Sequence, residues 1–155
     1  MKKVVLAYSG GLDTSVAIKW LRAMVYEGVP YMADVGQEKT TTAAIARAKK
    51  AGASKVVVRD LKKRFVSEYL WPALKAGAVY EGRYTLATAL SRPLIAAEQV
   101  AVAHEERATA VAHGCTGKGN DQVRFEVTTQ ILDSSLEILA PVREWEFRSR
   151  DEEIQ

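Results

Sequence analysis

Residues 3–15 read Lys-Val-Val-Leu-Ala-Tyr-Ser-Gly-Gly-Leu-Asp-Thr-Ser, and they are the segment most informative about the fold. Its first part, residues 3–8, is a short run of apolar and β-branched residues, which predicts a buried strand that ends at a Ser-Gly-Gly turn. A helix is predicted over residues 13–25, because apolar residues recur there at spacings of three and four. The face that they share consists of Ala17, Trp20, Leu21 and Met24. A strand, a glycine turn and an amphipathic helix therefore follow one another directly.

The same alternation continues along the chain. Further strands are predicted at residues 29–35, 55–58, 108–112 and 136–140, and further helices at 42–51, 61–76, 92–106 and from about Asp121. We expect Pro72 to interrupt the third helix, and Gly28 and Pro30 to weaken the second strand. Strands that alternate with helices are typical of parallel sheets with right-handed crossovers. The predicted fold is α/β, an open parallel sheet of about five strands with helices on both faces, of Rossmann-like type.

The composition is that of one ordinary domain. The 155 residues are 48% hydrophobic and 26% charged, which suffices for one compact domain with its own core. Apolar stretches are only a few residues long, and the start leads straight into the first strand without the hydrophobic region of a signal peptide. We therefore expect a cytosolic protein that makes no membrane contact.

Charge, cysteine and histidine content exclude several classes of function. The net charge of +3 comes from 22 basic and 19 acidic residues without a basic block, so nucleic acid is only weakly indicated as a partner. The single cysteine, Cys115, and the two histidines show no metal-ligand spacing, so we expect a reducing compartment and no metal held by the protein. Cys115 is expected to fill a pocket wall, His104 to lie on a helix surface and His113 to belong to a loop.

Residues 9–15, here called the glycine loop, carry the strongest indication of a binding site. Ligands of open parallel sheets bind at the carboxyl ends of strands, which is where this loop lies. Gly10 and Gly11 let backbone N–H groups approach an anion, and the helix start adds about half a positive elementary charge. The hydroxyl groups of Ser9, Thr14 and Ser15 can donate hydrogen bonds to phosphate oxygens. A tight turn without ligand is the alternative, which the full seven-residue pattern disfavours.

Residues 113–124 form a second segment between a strand and a helix. They read His-Gly-Cys-Thr-Gly-Lys-Gly-Asn-Asp-Gln-Val-Arg, so that three glycines within six residues allow the backbone to wrap around a ligand. The polar residues crowded onto this segment are Thr116, Lys118, Asn120, Asp121 and Arg124. An exposed loop with solvated charges is the alternative, which the position at the same sheet edge as the glycine loop disfavours.

The glycine loop resembles the Ser-Gly-Gly-x-Asp-x-Ser loop of ATP pyrophosphatases, which cleave ATP between the α and β phosphates. It lacks the Gly-Lys-Ser/Thr of a Walker loop and the Gly-x-Gly-x-x-Gly of dinucleotide-binding proteins. Further stretches narrow the resemblance to the argininosuccinate synthases, in order and with matching spacing. They are Ala-Asp-Val-Gly-Gln at 33–37, Tyr-Glu-Gly-Arg-Tyr at 80–84, Ser-Arg-Pro-Leu-Ile-Ala at 91–96, residues 113–126, and Ala-Pro-x-Arg-Glu-Trp at 140–145.

This resemblance implies one nucleotide site and two substrate sites. The residues implied to bind ATP are Ala7, Tyr8, Ser9, Gly10, Gly11, Leu12, Asp13, Thr14, Ser15, Ala33 and Gly114. Those implied to hold aspartate are Thr116, Asn120 and Asp121. Those implied to contact citrulline are Tyr84, Thr88, Asn120 and Arg124. The candidates for a part in catalysis are Asp13, Ser15, Asp121 and Arg124.

The reaction implied is the ATP-dependent condensation of citrulline with aspartate to argininosuccinate through citrullyl-AMP, with release of AMP and pyrophosphate. Mg²⁺ carried by the ATP phosphates is the expected metal, and catalysis by positioning requires no covalent nucleophile. The partners are small molecules, with no nucleic acid and no membrane. Full-length members are homo-oligomers with a second, synthetase domain. Residues 1–155 are therefore interpreted as the ATP-binding domain alone, which leaves a monomeric state open.

Two further readings of the sequence stay open beside the ligase. One is an isolated or engineered module that binds ATP without turning it over. The other is a pyrophosphate-loop enzyme acting on RNA, which would need a basic stripe and usually paired cysteines, and the sequence has neither. Thr85, Ala87 and Ala89 depart from the family pattern, and the missing hydroxyl at Ala89 affects the citrulline site. Residues 149–152, Ser-Arg-Asp-Glu, have the form of a capping box, which predicts the start of another helix, and a frayed polar tail is the alternative that stays open.

Overall fold

The computed structural model describes residues 2–37 and 41–145, in which five strands form one parallel sheet. The strands are β1 (Lys2–Ala7), β2 (Tyr26–Asp34), β3 (Val57–Asp60), β4 (Ala110–His113) and β5 (Glu137–Leu139). Their order across the sheet is β3-β2-β1-β4-β5, and all neighbours are parallel. The predicted α/β fold is confirmed, and each predicted strand is present with its bounds shifted by one to three residues.

Helices connect the strands. They are α1 (Leu12–Ala23), α2 (Thr41–Lys50), α3 (Lys62–Phe65), a π-helical turn (Val66–Leu70), α4 (Trp71–Lys75), α5 (Ala87–Glu106), α6 (Asp121–Leu132) and α7 (Pro141–Glu144). The helix predicted over residues 61–76 is interrupted by the π-helical turn at Val66–Leu70, which precedes Pro72, and Pro72 itself lies in the first turn of α4. The predicted start of the fourth helix at residue 92 is wrong. That helix, α5, begins five residues earlier and contains Pro93 within it. The capping box at 149–152 lies outside the described residues.

Pro30 lies in β2 without costing the sheet a hydrogen bond. The Tyr31 carbonyl accepts from Tyr8 N of the β1 side at 2.8 Å, whereas the Asp34 carbonyl accepts from Leu61 N of the β3 side at 2.8 Å. Because successive strand residues point to opposite sides, Pro30 points to the same side as Asp34. There β3 pairs with β2 only from Tyr31 onward, so the missing N–H has no strand opposite it. The strand runs unbroken through Pro30, and the expected weakening is absent from its ladder.

The two faces of the sheet carry separate parts of the core. Val4 and Leu6 of β1 pack with the buried residues of α1 and α2, whereas Val5 packs with those of α5. From β1 the chain adds β2 and then β3 on one side, whereas β4 and then β5 are added on the other side of β1. Because crossovers have the same hand, α1 and α5 lie on opposite faces of the sheet. Among the residues predicted for the core face of α1, Leu21 is fully buried, but Met24 is 51% exposed because it lies after the last turn.

A buried glutamine joins α5 to the middle of the sheet. Gln99 is 1% exposed, and its Nε2 donates hydrogen bonds of 2.8 Å to the carbonyls of Val5 in β1 and Ala112 in β4. These two strands flank the point at which the strand order reverses. Gln99 therefore fixes the helix against the part of the sheet that lies beneath the candidate site.

Candidate functional site

A cleft of about 690 Å³ opens at the carboxyl ends of β1, β2 and β4. Its walls come from Ala7 to Ser9 after β1, from the end of β2, from α5 and from the segment that follows β4. The strand order reverses between β1 and β4, and open α/β sheets bind their ligands at such a switch point. The volume lies within the range of about 300–1,000 Å³ that is usual for small-molecule sites.

Hydroxyl groups hold the glycine loop in place beside the cleft. The Thr14 and Ser15 hydroxyls both donate to the Gly11 carbonyl, at 3.3 and 2.8 Å. Ser9 Oγ lies 3.2 Å from Thr14 Oγ1, and Tyr8 Oη lies 3.0 Å from Ser15 Oγ. Gly11 caps α1 without a side-chain hydrogen bond. The first N–H groups of the helix have no partner within it, so they can bind an anion.

The second loop, residues 114–120, lies against the glycine loop where Gly114 meets Thr14. A Cβ on Gly114 would stand 2.9 Å from Thr14 Cγ2, closer than real Cβ contacts allow. Thr14 is 6% exposed and its hydroxyl is already bonded, so it cannot easily turn aside. Glycine at this position therefore brings the two loops together as opposite walls of one cleft.

A chain of polar contacts connects the second loop to α6 and α7. Gln122 Nε2 donates to the Gly117 carbonyl at 3.0 Å, and Arg143 Nη1 donates to Gln122 Oε1 at 2.6 Å. Arg143 Nη2 also lies 2.8 Å from Glu126 Oε1. Arg143 belongs to α7 and Glu126 to α6. The conformation of the second loop therefore depends on contacts with both helices.

His113, the last residue of β4, belongs to the same network of polar contacts. The ring is 2% exposed, its Nδ1 accepts a hydrogen bond of 3.3 Å from Cys115 N, and its Nε2 lies 3.3 Å from Glu126 Oε1. Burial lowers the pKa of His113, although the charge of Glu126 acts in the opposite direction. The lowered pKa favours the neutral ring, and Nδ1 can accept a hydrogen bond only in that form. The expectation that His113 is a loop residue is therefore wrong, because β4 extends to it. His104 does lie on the surface of α5, 2.7 Å from Asp133.

Cys115 lines the cleft with a protonated thiol. Burial, followed by the charge of Asp121, raises the pKa of Cys115 to about 11. A thiol with this pKa is a weak nucleophile at neutral pH. The position agrees with the predicted role as part of a pocket wall.

Two arginines enclose Asp121 at the start of α6. Arg92 Nε of α5 lies 2.9 Å from Asp121 Oδ2, and Arg124 Nη1 lies 2.7 Å from Asp121 Oδ1. Burial raises the pKa of Asp121, but the hydrogen bonds and charges of Arg92 and Arg124 outweigh it and hold the pKa below the usual range. The cluster has one positive charge in excess, which suits a ligand carboxylate.

Tyr84 and Thr88 lie at the start of α5 near this cluster. The Tyr84 hydroxyl accepts a hydrogen bond of 3.1 Å from Thr88 N, so the tyrosine caps the helix in place of its N-cap residue Leu86. The bonds from Thr88 and Ala89, together with the charge of Arg124, lower the pKa of Tyr84. The charge of Arg124, which also contacts Asp121, therefore acts on the Tyr84 phenol.

Comparison with known proteins assigns the chain to a family. The family model described as arginosuccinate synthase N-terminal HUP domain matches residues 3–155. A curated argininosuccinate synthase from Bacillus licheniformis is 59% identical over 153 residues, and one from Desulforamulus reducens is 54% identical over 155 residues. Each of the two matches covers 99% of this chain.

The chain belongs to the argininosuccinate synthase family. It spans 38% and 39% of the length of these two argininosuccinate synthases. A solved structure from Methanocaldococcus jannaschii, described as a predicted subunit of tRNA methyltransferase, shares the fold with a TM-score of 0.62. That likeness covers 99% of this chain and 75% of the other at 16% identity, so it concerns the fold alone.

The cleft collects many of the residues that the resemblance to argininosuccinate synthases implies. Those that line it are Ala7, Tyr8, Ser9, Thr14, Ala33, Gly114, Thr116, Asn120 and Asp121. The other glycine-loop candidates continue the same loop beyond the lining, and they are Gly10, Gly11, Leu12, Asp13 and Ser15. Tyr84, Thr88 and Arg124 also lie outside the lining, grouped beside Asp121. The structure thus brings the candidates into one region with two neighbouring parts.

Sequence reasoning missed several residues that shape this cleft. Arg92 lies in the motif at 91–96, but its contact with Asp121 depends on the packing of α5 against α6, which no local pattern indicates. His113, Glu126 and Arg143 form one network although they come from three elements. Their motifs gave the only sequence signal, because the periodicity of each segment says nothing about contacts between segments.

In residues 2–37 and 41–145, no group of three or more His, Cys, Asp and Glu side chains is placed to hold a metal ion. No helix within these ranges combines the length and the apolar character needed to cross a membrane.

Proposed function

We propose that this chain is the ATP-binding domain of an argininosuccinate synthase, which joins citrulline to aspartate while ATP is cleaved to AMP and pyrophosphate. The observation that carries the proposal is the cleft in which the glycine loop and the second loop meet at Thr14 and Gly114. One ligand placed there can contact both loops. Family membership supports the reaction, and the chemistry of the two walls supports the distribution of its substrates.

The nucleotide is assigned to the wall formed by the glycine loop. Phosphates accept hydrogen bonds from the N–H groups at the start of α1, and from the hydroxyls of Ser9, Thr14 and Ser15 when these exchange their contacts within the loop for the ligand. The adenosine part fits the less polar side of the cleft, where Ala33 and Ile95 form the lining. Mg²⁺ is assigned to the ATP phosphates, since the ion keeps most of its ligands from phosphate and water.

The two amino-acid substrates are assigned to the second loop and to the start of α5. Thr116 and Asn120 line the cleft with groups that orient aspartate. The excess positive charge of the Asp121 cluster attracts the substrate carboxylates. Citrulline is assigned to the region of Tyr84, Thr88 and Arg124, next to this cluster.

Catalysis in this proposal depends on positioning. The ureido oxygen of citrulline forms a bond to the α-phosphorus, the bond to the bridging oxygen breaks, and pyrophosphate leaves with the electron pair. The aspartate amine then attacks the ureido carbon, the bond from this carbon to the oxygen of AMP breaks, AMP leaves with the electron pair, and the new C–N nitrogen loses a proton. The protein holds the reacting groups in line and stabilises the developing charge, for which Asp13, Ser15, Asp121 and Arg124 are the candidates. The complete reaction is proposed for the chain together with the rest of the enzyme, in the cytosol and in an oligomer.

Calorimetric titration with Mg-ATP tests the nucleotide site. We expect the chain to bind ATP, and a double variant with Asp13→Ala and Ser15→Ala to lose that binding. A control double variant with Ser54→Ala and Asp60→Ala changes the same residue types at exposed positions outside the lining of the cleft, and it should bind ATP normally. A folded chain that binds no ATP would contradict the proposal.

Pyrophosphate release tests the ligase reaction separately. Release that depends on citrulline supports the argininosuccinate synthase reaction. ATP binding without such release would support instead a module that binds the nucleotide without turning it over. Binding of RNA with a steep salt dependence would favour a pyrophosphate-loop enzyme acting on RNA.

A further inference from the structure

The glycine loop has no basic residue of its own. Residues 9–15 contain three hydroxyl residues, two glycines, a leucine and an aspartate. The start of α1 contributes only about half a positive charge. A triphosphate carries several negative charges, and Asp13 adds another nearby. A cation from another element is therefore needed to balance the phosphates beyond the ion that they bring with them.

Arg47 of α2 is placed at this loop. Its Nε donates a hydrogen bond of 3.0 Å to the Gly10 carbonyl. A Cβ on Gly10 would stand 2.7 Å from Ala44 Cβ and 3.3 Å from Arg47 Nη2, so α2 packs directly on the turn. Gly10 has a φ of +80°, a conformation that glycine adopts readily. The close packing thus fixes the guanidinium beside the phosphate-binding turn.

Three arginines near the cleft are already engaged, and Lys118 of the second loop does not line the cleft. Arg92 and Arg124 both contact Asp121, and Arg143 contacts Glu126. The hydrogen bond to Gly10 uses one of the five N–H donors of the Arg47 guanidinium. Arg47 is exposed, so its other donors can reach a ligand.

We propose that Arg47 binds the pyrophosphoryl part of the nucleotide and supplies the charge that the glycine loop lacks. The planar guanidinium matches two phosphate oxygens at once, which a lysine ammonium does not. This inference rests on the proposed ATP site and adds a residue from outside the recognised motifs. It makes Arg47 a determinant of the preference for ATP over AMP.

Titration of ATP and AMP into matched variants tests this role. The variants are Arg47→Gln, which removes the charge, and Arg47→Lys, which keeps it. The control is Lys49→Gln, which removes the same charge from the same helix but lies about 200° around its axis. Circular dichroism and urea unfolding establish that each variant is folded.

Arg47→Gln is expected to weaken ATP binding about tenfold or more and to leave AMP binding within about twofold, because a charge-assisted bond to the lost phosphates disappears. Arg47→Lys should recover part of the ATP affinity, and Lys49→Gln should bind both nucleotides normally. Equal losses for ATP and AMP, no loss for either, or the same loss in the Lys49 control would overturn the role of Arg47. Wild-type chain that binds neither nucleotide would overturn the ATP site itself, and the role of Arg47 with it.

Discussion

Substitution of Gly114 by alanine should separate the two walls of the cleft, and the change can be reversed at a second residue. The new Cβ would stand 2.9 Å from Thr14 Cγ2. Overpacking of this kind costs about 1–3 kcal/mol. Thr14→Ser removes the opposing methyl group but keeps the hydroxyl, at a cost of about 1 kcal/mol for the buried methyl. The double variant should therefore be more stable than the sum of the two single changes predicts.

Urea unfolding of wild type, Gly114→Ala, Thr14→Ser and the double variant measures this coupling. Gly119→Ala is the reference, because a Cβ there meets no atom within 4 Å and its φ is not positive. It reports the change in the unfolded chain alone, about 0.4–1 kcal/mol of stabilisation. The reasoning is refuted if Gly114→Ala behaves like Gly119→Ala, or if the two single changes are simply additive.

Three further predictions concern stability, pH and reactivity. Gln99→Leu should lower the free energy of unfolding by about 2–3 kcal/mol in urea, because two buried hydrogen bonds disappear, whereas the exposed Gln130→Leu should change it by less than about 0.5 kcal/mol; similar values for the two would contradict the bridging role. The pKa of Asp121 is lowered in the folded chain, so its stabilising contribution is present above the ordinary aspartate pKa and is lost as the pH falls through the lower folded value. Asp121→Asn should accordingly flatten the loss of unfolding free energy below about pH 4, and an unchanged slope would argue against the two ion pairs. The rate of Cys115 alkylation by iodoacetamide should rise with pH up to about 11, and bound ATP should slow the reaction. A rate that reaches its plateau near the pKa of an ordinary thiol would show that the residue is not buried as described.

The sequence determined the type of fold and the first wall of the site. Apolar runs of strand length and helical spacing are local patterns, so five strands and the main helices could be predicted with bounds wrong by a few residues. The glycine loop was recognisable because its chemistry lies in seven consecutive residues. Local patterns failed where packing overrode them, as at Pro93, which lies inside α5 instead of near its start.

Only the tertiary structure decided which distant side chains meet. Arg47 reaches Gly10, Arg92 reaches Asp121, and Arg143 reaches Glu126 across 37, 29 and 17 positions of sequence. No periodicity encodes such pairs, because they depend on how helices from different parts of the chain settle on the sheet. The effect of Pro30 on the backbone also depends on the tertiary structure. Its missing N–H costs the sheet no hydrogen bond, because β3 begins beside the next residue. The sequence thus specified the residues that can carry the chemistry, and the packing of α2, α5, α6 and α7 specified how they are held.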